Sequence, residues 1–362
     1  MSEKSPYVLW FEECDEGSLP VVGGKNMSLG RMITADIPVP PGFAVTTVAY
    51  EEFLTKGGVK QEIQGILGKV DPEDVSTVEE AGKAVRKLIR LTVVPQDVEH
   101  AIKDAYDNLC EKLNLAGMPV AVRSSATAED LPGASFAGQQ ETYLWIMGLN
   151  EVVESTRNCW ASLFTDRAIT YRIKMGFPHE QVLISVGVQK MVNARAAGVM
   201  FTLNPLTGDC SKILIDANWG LGESVVKGEV TPDNYLVDKV TFSIGRRTIS
   251  PKTVEYVVDR DTSRVVQSEV PSERQQEPCL NDEEVLELTR LAKVIEKYYS
   301  GQPQDIEWAV DRDLSFPESI LILQSRPETV WSEKKRKPIV EPGKSVLDAI
   351  LDTTMKGKKV NL

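Results

Sequence analysis

The spacing of apolar residues predicts that helices and strands occupy different parts of the chain. Between residues 47 and 117, apolar side chains recur every three or four positions, as in the stretches AYEEFL, VEEAGKAVRKLIRL and DVEHAIKDAYDNLCEKL, which is typical of amphipathic helices. Later segments are rich in β-branched and aromatic residues and predict strands, among them PVAVRSS, VLISVGVQKMV and KILIDANW. Helices first and a mixed sheet later indicate an α+β fold, since a doubly wound sheet would alternate the two regularly.

Individual strands, turns and helices can be predicted in the first and last parts of the chain. The first 45 residues predict a strand, SPYVLWF, then a glycine turn, VVGGKN, a helix, and a second strand, FAVT. VEYVVD and SRVVQSEV predict a hairpin, followed by a long helix that begins with a capping box of Asn281 and Glu284 and stops at Gly301. From about Trp331 the composition, SEKKRKPIVEPGK, is typical of a linker, and a short amphipathic segment, SVLDAILDTTM, follows it.

Composition and charge narrow the class of protein. The 362 residues carry a net charge of −12, which argues against nucleic acid as a partner, since nucleic-acid-binding proteins are usually basic. The longest apolar runs, such as SILIL, are too short to cross a bilayer, so we expect no membrane association. The N-terminal stretch MSEKSPYVLWFEE does not have the pattern of a signal peptide. The five scattered cysteines form no CxxC pair, and we expect a cytoplasmic protein.

Two adjacent strands near residue 310 carry candidate chemistry. In DIEWAV and ILILQSRPETV, the period of two places Glu307 on one face of its strand, and Gln324 and Arg326 together on one face of theirs. If the strands pair as a hairpin, all three side chains meet on one surface. A carboxylate and an amide oxygen suit Mg²⁺, and an arginine beside them can bind a phosphate oxygen. The hairpin alone leaves open a simple exposed salt bridge between the strands.

Two glycine-containing stretches could bind phosphate. In RSSATAEDLPGASFAGQQET, Arg123 stands at the end of a strand, Gly133 and Gly138 allow free backbone N–H groups, and Thr142 can add a hydroxyl. A disordered surface loop is the alternative for such a composition. In VVGGKN, two glycines precede Lys25, but the stretch does not match a Walker A loop, and alone it favours a plain turn.

Taken together, these stretches resemble one family. VVGGKNMSLGRMI, IPVPPGFAVTT, VRSSATAEDLPGASFAGQQET, ASLFTDRAITYR, GVMFT, WGLGE and DIEWAV with LILQSRPET are similar to the N-terminal nucleotide-binding region of phosphoenolpyruvate synthase. Pyruvate phosphate dikinase and rifampicin phosphotransferase share this region. The resemblance runs in the same order over roughly residues 5–332. It implies an ATP-grasp fold, in which two lobes hold ATP between them.

The resemblance also implies roles for particular residues. Lys25 and Arg123 would contact the phosphates, and Arg326 the phosphates that are transferred, which makes these three the catalytic candidates. Glu307 and Gln324 would bind Mg²⁺. The remaining ATP-binding residues would be Gly138 and Thr142 of a closing loop, and Gln189 at the hinge. We expect four parts, with an N-terminal lobe with a helical insertion over residues 1–120, a central part over 121–200, a C-terminal lobe over 201–332, and a linker and tail over 333–362.

One component of the family pattern has no match here. Relatives transfer the β-phosphoryl of ATP to a histidine in a glycine-rich motif followed by SHA, giving AMP and phosphate, and neither His100 nor His179 has that setting. The resemblance therefore implies a phosphotransferase of the dikinase type that acts with a larger partner subunit, which carries the phosphohistidine and the acceptor site.

A stand-alone chain of this kind resembles the ATP-binding subunit of phenylphosphate synthase, which would make phenol the acceptor, in anaerobic phenol degradation. The alternatives are the nucleotide-binding domain of a phosphoenolpyruvate synthase acting on pyruvate and, in another class, a non-catalytic module that senses ATP. The sequence does not distinguish the acceptors.

Overall fold

The computed structural model describes residues 5–127, 141–259 and 261–331, which contain nine α-helices and thirteen strands. The helices are α1 (Leu19–Thr34), α2 (Thr47–Lys56), α3 (Lys60–Leu67), α4 (Val75–Leu91), α5 (Gln96–Lys112), α6 (Leu149–Ser162), α7 (Asp166–Met175), α8 (Glu223–Val226) and α9 (Asp282–Tyr298). The strands are β1 (Val8–Trp10), β2 (Gly42–Val45), β3 (Val120–Ala126), β4 (Thr142–Ile146), β5 (Ile184–Lys190), β6 (Ala194–Phe201), β7 (Lys212–Trp219), β8 (Asp233–Asp238), β9 (Ile244–Thr248), β10 (Val254–Asp259), β11 (Arg264–Glu269), β12 (Gln304–Asp311) and β13 (Ile320–Pro327).

The described chain divides into two units. The first extends to Pro327 and holds every helix and strand named above, and the second begins at Glu328. In the described part of the second unit, the Glu328 carboxylate accepts hydrogen bonds from the backbone N–H groups of Val330 (2.7 Å) and Trp331 (3.0 Å). No helix in the described ranges is both long enough and apolar enough to span a bilayer. The predicted division at residues 120, 200 and 332 stays a prediction.

Two antiparallel sheets form the framework of the first unit. The first sheet has the strand order β1-β2-β5-β3-β4, and the second has the order β13-β12-β6-β7-β8-β9. Strands β10 and β11 form a separate hairpin. Every pairing in the two sheets is antiparallel, so the expectation of a mixed sheet was wrong. The chain passes from one sheet to the other in the three residues between β5 and β6.

A layer of helices covers one face of the first sheet. Helices α2, α5 and α6 contact its strands, and α3, α4 and α7 pack around them. Trp160 on α6 is fully buried, with its ring centroid 4.7 Å from that of Phe53 and 6.0 Å from that of Tyr50. Large rings of this kind contribute much of the hydrophobic stabilisation of a core. The amphipathic pattern of residues 47–117 is therefore satisfied by this one layer.

Helix α9 covers the second sheet, and its beginning confirms the predicted capping box. The Asn281 side chain accepts from the N–H of Glu284 (2.9 Å), and the Glu284 carboxylate accepts from the N–H of Asn281 (3.0 Å). The buried face of α9 packs with strand residues such as Ile306 and Trp308 in a second hydrophobic core. Beyond the helix, Gly301 has a φ of 78°, which fits its predicted role as a stop.

Helix α1 lies between the two sheets. It contacts β3 and β5 of the first sheet and β13 of the second. The VVGGKN stretch was predicted as a turn, but the structure places it inside this helix, which is interrupted only at Gly23. The prediction was wrong because a helix can continue on both sides of one glycine with a non-helical backbone.

A buried ion pair joins the start of β8 to the segment between β9 and β10. Lys252 and Asp233 have fully buried side chains, and their Nζ and Oδ1 atoms are 2.6 Å apart. The same carboxylate accepts from the backbone N–H groups of Ser250 (3.0 Å) and Cys279 (2.8 Å). Such a pair fixes geometry, and losing one partner leaves a charge buried without compensation.

We expect Lys252→Met to destabilise the protein by about 3–5 kcal/mol, because Asp233 would stay buried without its cation. Lys212→Met is the matched control. It breaks a partly exposed pair with Asp238, whose two side chains are 30% and 24% exposed, and should cost about 0–1 kcal/mol. Urea unfolding followed by circular dichroism measures both variants. Equal losses in the two would contradict the importance given to the buried pair.

Candidate functional site

A cleft of about 550 Å³ opens between the two sheets. Seven of the eight predicted site residues line it, namely Lys25, Arg123, Thr142, Gln189, Glu307, Gln324 and Arg326. The eighth, Gly138, lies outside the described residues. The lining contains five basic side chains and three acidic ones, so the cleft is locally basic in a chain of net charge −12. Local charge of this sign favours an anionic ligand.

Lys25 reaches the cleft because of the interruption in α1. Gly23 has φ 70° and ψ 169°, and a Cβ there would overlap the hydroxyl and carbonyl oxygens of Ser125 on β3. Only glycine combines this backbone conformation with so close an approach. Two residues later, Lys25 Nζ lies 3.4 Å from the carbonyl oxygen of Ser124. The ammonium group is thereby held beside β3, at Ser124, which directly follows Arg123 in the chain.

Arg123 connects the first sheet to the second. It lies within β3, opposite Thr142 of β4, so its predicted place at the end of a strand was wrong, because β3 continues to Ala126. Its Nη1 donates to the carbonyl oxygen of Leu323 on β13 (3.1 Å). A bulge makes this contact possible, because the register between β12 and β13 shifts after Glu307 and leaves Leu323 as the extra residue.

Glu307 and Gln324 lie directly opposite each other on β12 and β13, as the predicted hairpin requires. Among the described residues, neither side chain has a hydrogen-bond or ion-pair partner. Their oxygens are the hard ligands that suit Mg²⁺, which usually takes only one or two protein carboxylates and completes its shell with water and phosphate. Within the described ranges, no group of three or more His, Cys, Asp and Glu side chains forms a fuller metal site. The two side chains therefore suit a Mg²⁺ ion whose other ligands are water and the phosphate groups of a bound molecule.

Arg326 lies opposite Asp305, two residues along the same strands. Its Nε and Nη2 both donate to Oδ2 of Asp305, at 2.8 and 2.7 Å. The predicted surface of Glu307, Gln324 and Arg326 is thus confirmed, and a salt bridge between the strands is present as well. The ion pair does not remove Arg326 from the cleft, since the arginine side chain remains 45% exposed. It orients the guanidinium plane at the cleft wall.

Gln189 is almost fully buried at the end of β5, and its Nε2 donates to the carbonyl oxygen of Pro40 (3.2 Å). The amide nitrogen is therefore engaged with the proline-rich segment before β2. Lys190 next to it donates its backbone N–H to Pro41 (2.8 Å). These contacts fix the chain just before it crosses to the second sheet.

Sequence reasoning missed the other end of the cleft. It is lined by apolar side chains from both sheets and their connection, including Leu144, Met191, Val192 and Leu221. Glu223, the first residue of the short helix α8, and Lys227, the residue after its end, also face the cleft and form an ion pair of 2.9 Å. In the sequence, only the WGLGE stretch, which ends at the first residue of α8, pointed to this end of the cleft, and it contains no residues that by themselves predict a chemical role.

The chain is similar to several known proteins. The family model described as "Pyruvate phosphate dikinase, AMP/ATP-binding domain" matches residues 19–345. A probable phosphoenolpyruvate synthase of Staphylothermus marinus is 46% identical over 92% of this chain and 43% of the relative. The phosphoenolpyruvate synthases of Aeropyrum pernix and Pyrococcus furiosus are 44% and 41% identical, over 92% and 91% of this chain and 44% of each relative. The chain thus spans less than half the length of these curated relatives.

The interruption of α1 yields a stability prediction. We expect Gly23→Ala to cost at least about 1–3 kcal/mol, because the new Cβ would meet Ser125 and the positive φ would be strained. Gly65→Ala in the exposed part of α3 is the matched control, since its Cβ would have no neighbour within 4 Å and alanine favours a helix. Thermal unfolding compares the two. A Gly23→Ala protein as stable as the control would show that the close approach is not needed.

Proposed function

Because this chain belongs to the pyruvate phosphate dikinase AMP/ATP-binding domain family, we propose that the cleft between its two sheets binds Mg²⁺–ATP for phosphoryl transfer. The observation that carries the proposal is the convergence in one cleft of Lys25, Arg123, Glu307, Gln324 and Arg326, which come from α1, β3, β12 and β13. We further propose that the two sheets correspond to the two lobes of an ATP-grasp fold, with the nucleotide between them.

We assign the phosphates to the basic part of the cleft. Lys25 and Arg123 lie together along β3 and can neutralise phosphate oxygens, and Arg326 can offer a forked contact to the group that is transferred. Thr142, opposite Arg123, can donate its hydroxyl. Gly138 is assigned to this end on the resemblance alone. Phosphoryl transfer depends mainly on such positioning and charge stabilisation.

Glu307 and Gln324 are the residues that would hold Mg²⁺. Bound there, Mg²⁺ would supply positive charge that stabilises the negative phosphate oxygens. Both side chains lack protein partners among the described residues, which supports a role towards a ligand. The apolar end of the cleft, with Leu144, Met191 and Leu221, suits the flat face of a nucleobase. We therefore place the base there, near the connection between the sheets.

We propose that the β-phosphoryl group passes to a histidine outside these 362 residues, with AMP and phosphate as the other products. Neither histidine of this sequence is suitably placed, because His100 is exposed on α5 and His179 is bonded through Nδ1 to Arg172 (2.9 Å). The similar proteins are named phosphoenolpyruvate synthases, which favours pyruvate over phenol as the final acceptor of the complete enzyme. Whether this histidine belongs to the same polypeptide or to a partner subunit, this chain supplies the phosphoryl donor.

The proposed metal role predicts the behaviour of Glu307→Gln. The variant keeps the shape of the side chain but loses its charge, so Mg²⁺-dependent binding of ATP to the isolated chain should weaken by about tenfold or more. Calorimetric titration with and without Mg²⁺ measures this. Glu318→Gln, an exposed glutamate between β12 and β13, is the control and should bind like the unchanged protein. Unchanged Mg²⁺ dependence in Glu307→Gln would remove this residue from the site.

A second prediction concerns the missing nucleophile. A sample that binds Mg²⁺–ATP by calorimetry should take up no stable label from ATP labelled in its β-phosphate. Adding the part of the Staphylothermus marinus relative that this chain does not match should give an acid-labile label on that added protein. Label on His100 or His179 of this chain would defeat the assignment of a histidine elsewhere.

A further inference from the structure

A second cavity, of about 300 Å³, lies in the helical layer over the first sheet. It shares no lining residue with the cleft. Its wall is mainly apolar and comes from α2, α3 and the segments after α6 and α7, with Tyr50, Leu54, Ile63, Leu67, Phe164 and Val182 as its principal side chains. A volume of this size is at the small end of the range for ligand pockets, so it suits only a compact molecule.

His179 is a half-buried polar group of this wall, and its protonation depends on its burial and on Arg172. Burial, followed by the nearby charge of Arg172, lowers the pKa of His179 to about 4, so the ring is neutral at neutral pH. Its Nδ1 accepts a hydrogen bond from Arg172 Nε (2.9 Å). In a neutral imidazole that accepts at Nδ1, the proton is on Nε2. The ring therefore offers an N–H donor, which has no partner among the described residues.

Arg172 itself is a buried cation with no carboxylate partner in the part of the chain that the structure describes. Its side chain is fully buried, and none of the described carboxylates lies within ion-pair distance. Nη1 donates to the carbonyl oxygen of Leu163 (2.6 Å), whereas Nη2 has no hydrogen-bond partner. Burial lowers the pKa of Arg172 to about 10, which still leaves it charged at neutral pH. An unpaired buried charge is costly, so an anion nearby would be stabilised.

Two of the residues that contact Arg172 are part of the cavity wall. His179 accepts its hydrogen bond, and the Phe164 ring centroid lies 5.3 Å from its guanidinium carbon. The other charged residues of the wall are Glu51, Glu180 and Lys60, of mixed sign. Among the described residues, the buried charge at the His179 end is that of Arg172, while the neighbouring Glu180 carboxylate is exposed, and Nε2 lies on the side of the imidazole ring away from Arg172.

We propose that this cavity binds a compact organic acid, whose apolar body packs among Leu54, Ile63 and Phe164 and whose carboxylate accepts a hydrogen bond from Nε2–H of His179. The positive charge of Arg172 polarises the imidazole to which it is hydrogen-bonded. The polarised N–H would favour the carboxylate over a neutral or cationic group of equal size. This site is separate from the proposed nucleotide cleft and does not depend on the proposed phosphoryl transfer.

Three probes of nearly equal size test the class of ligand, namely phenylacetate, 2-phenylethanol and phenethylamine. The chain contains only two histidines, so nitrogen-detected imidazole NMR of the full chain gives a separate signal set for each. We expect His179 as the Nε2–H tautomer, a saturable shift of its Nε2 signal with phenylacetate, and no shift for the exposed His100. Phenylacetate should bind at least about tenfold more tightly than 2-phenylethanol, and phenethylamine most weakly.

A pocket-filling variant locates the binding. Leu54 is only partly buried, so Leu54→Trp can occupy the cavity with little strain on the core, and it should reduce phenylacetate affinity by about tenfold or more. Leu206→Trp, at a leucine that is 78% exposed, is the matched control and should bind as the unchanged chain does. Circular dichroism verifies that both variants fold. The NMR titration uses the unchanged chain, so it tests the proposal even if Leu54→Trp does not fold.

Several outcomes would overturn the proposal. These are the absence of saturable binding, equal affinity for the three probes, an unmoved His179 signal during binding, or an unchanged affinity in a folded Leu54→Trp protein.

Discussion

The position of helix α1 between the two sheets is the constraint on which the rest of the structure depends. Two buried polar side chains, two residues apart and therefore on nearly opposite faces of the helix, fix it to both sheets. Asn26 donates to the hydroxyl of Ser185 on β5 (3.1 Å), and Ser28 donates to the carbonyl oxygen of Ser325 on β13 (2.8 Å). Buried polar groups are costly unless they are paired, so these two bonds disfavour any other placement of the helix. Lys25, in the same turn, is thereby held at the cleft.

Close backbone contacts maintain this arrangement. Gly187 on β5 has no room for a Cβ because the Asn26 side chain lies against it, and Gly23 is equally restricted by β3. The helix therefore approaches the first sheet more closely than side chains would permit. The consequence for the site is that a lysine from a helix, an arginine from one sheet and a carboxylate from the other can all face a single cleft.

The same geometry explains how an acidic chain can offer a site for an anion. The chain has a net charge of −12, yet five basic side chains line the cleft, and one of its three acids, Glu307, lies opposite the amide of Gln324. Arg123 bonds to a backbone carbonyl of the opposite sheet and Arg326 bonds to Asp305, so both guanidinium groups are oriented before any ligand arrives. Such preorganisation reduces the cost of binding.

The sequence by itself determined those features that depend on local periodicity. The period of two placed Glu307, Gln324 and Arg326 on one face of a hairpin, and the spacing of Asn281 and Glu284 predicted the start of α9, because both follow from neighbouring residues on one element. The α+β class followed in the same way from the order of the patterns. The family resemblance then supplied Lys25, Arg123, Thr142 and Gln189 as site residues, all of which line the cleft.

Only the tertiary structure decided how these pieces combine. Strand β5 pairs between β2 and β3, so residues far apart in the chain form one sheet, and the extra residue Leu323 turns a carbonyl towards Arg123. The stretch around Gly23 became an interrupted helix and not a turn, because contacts with β3 and β13 stabilise the segments on both sides of the glycine. Pairing between distant strands and burial against them are non-local, and local propensity does not encode them.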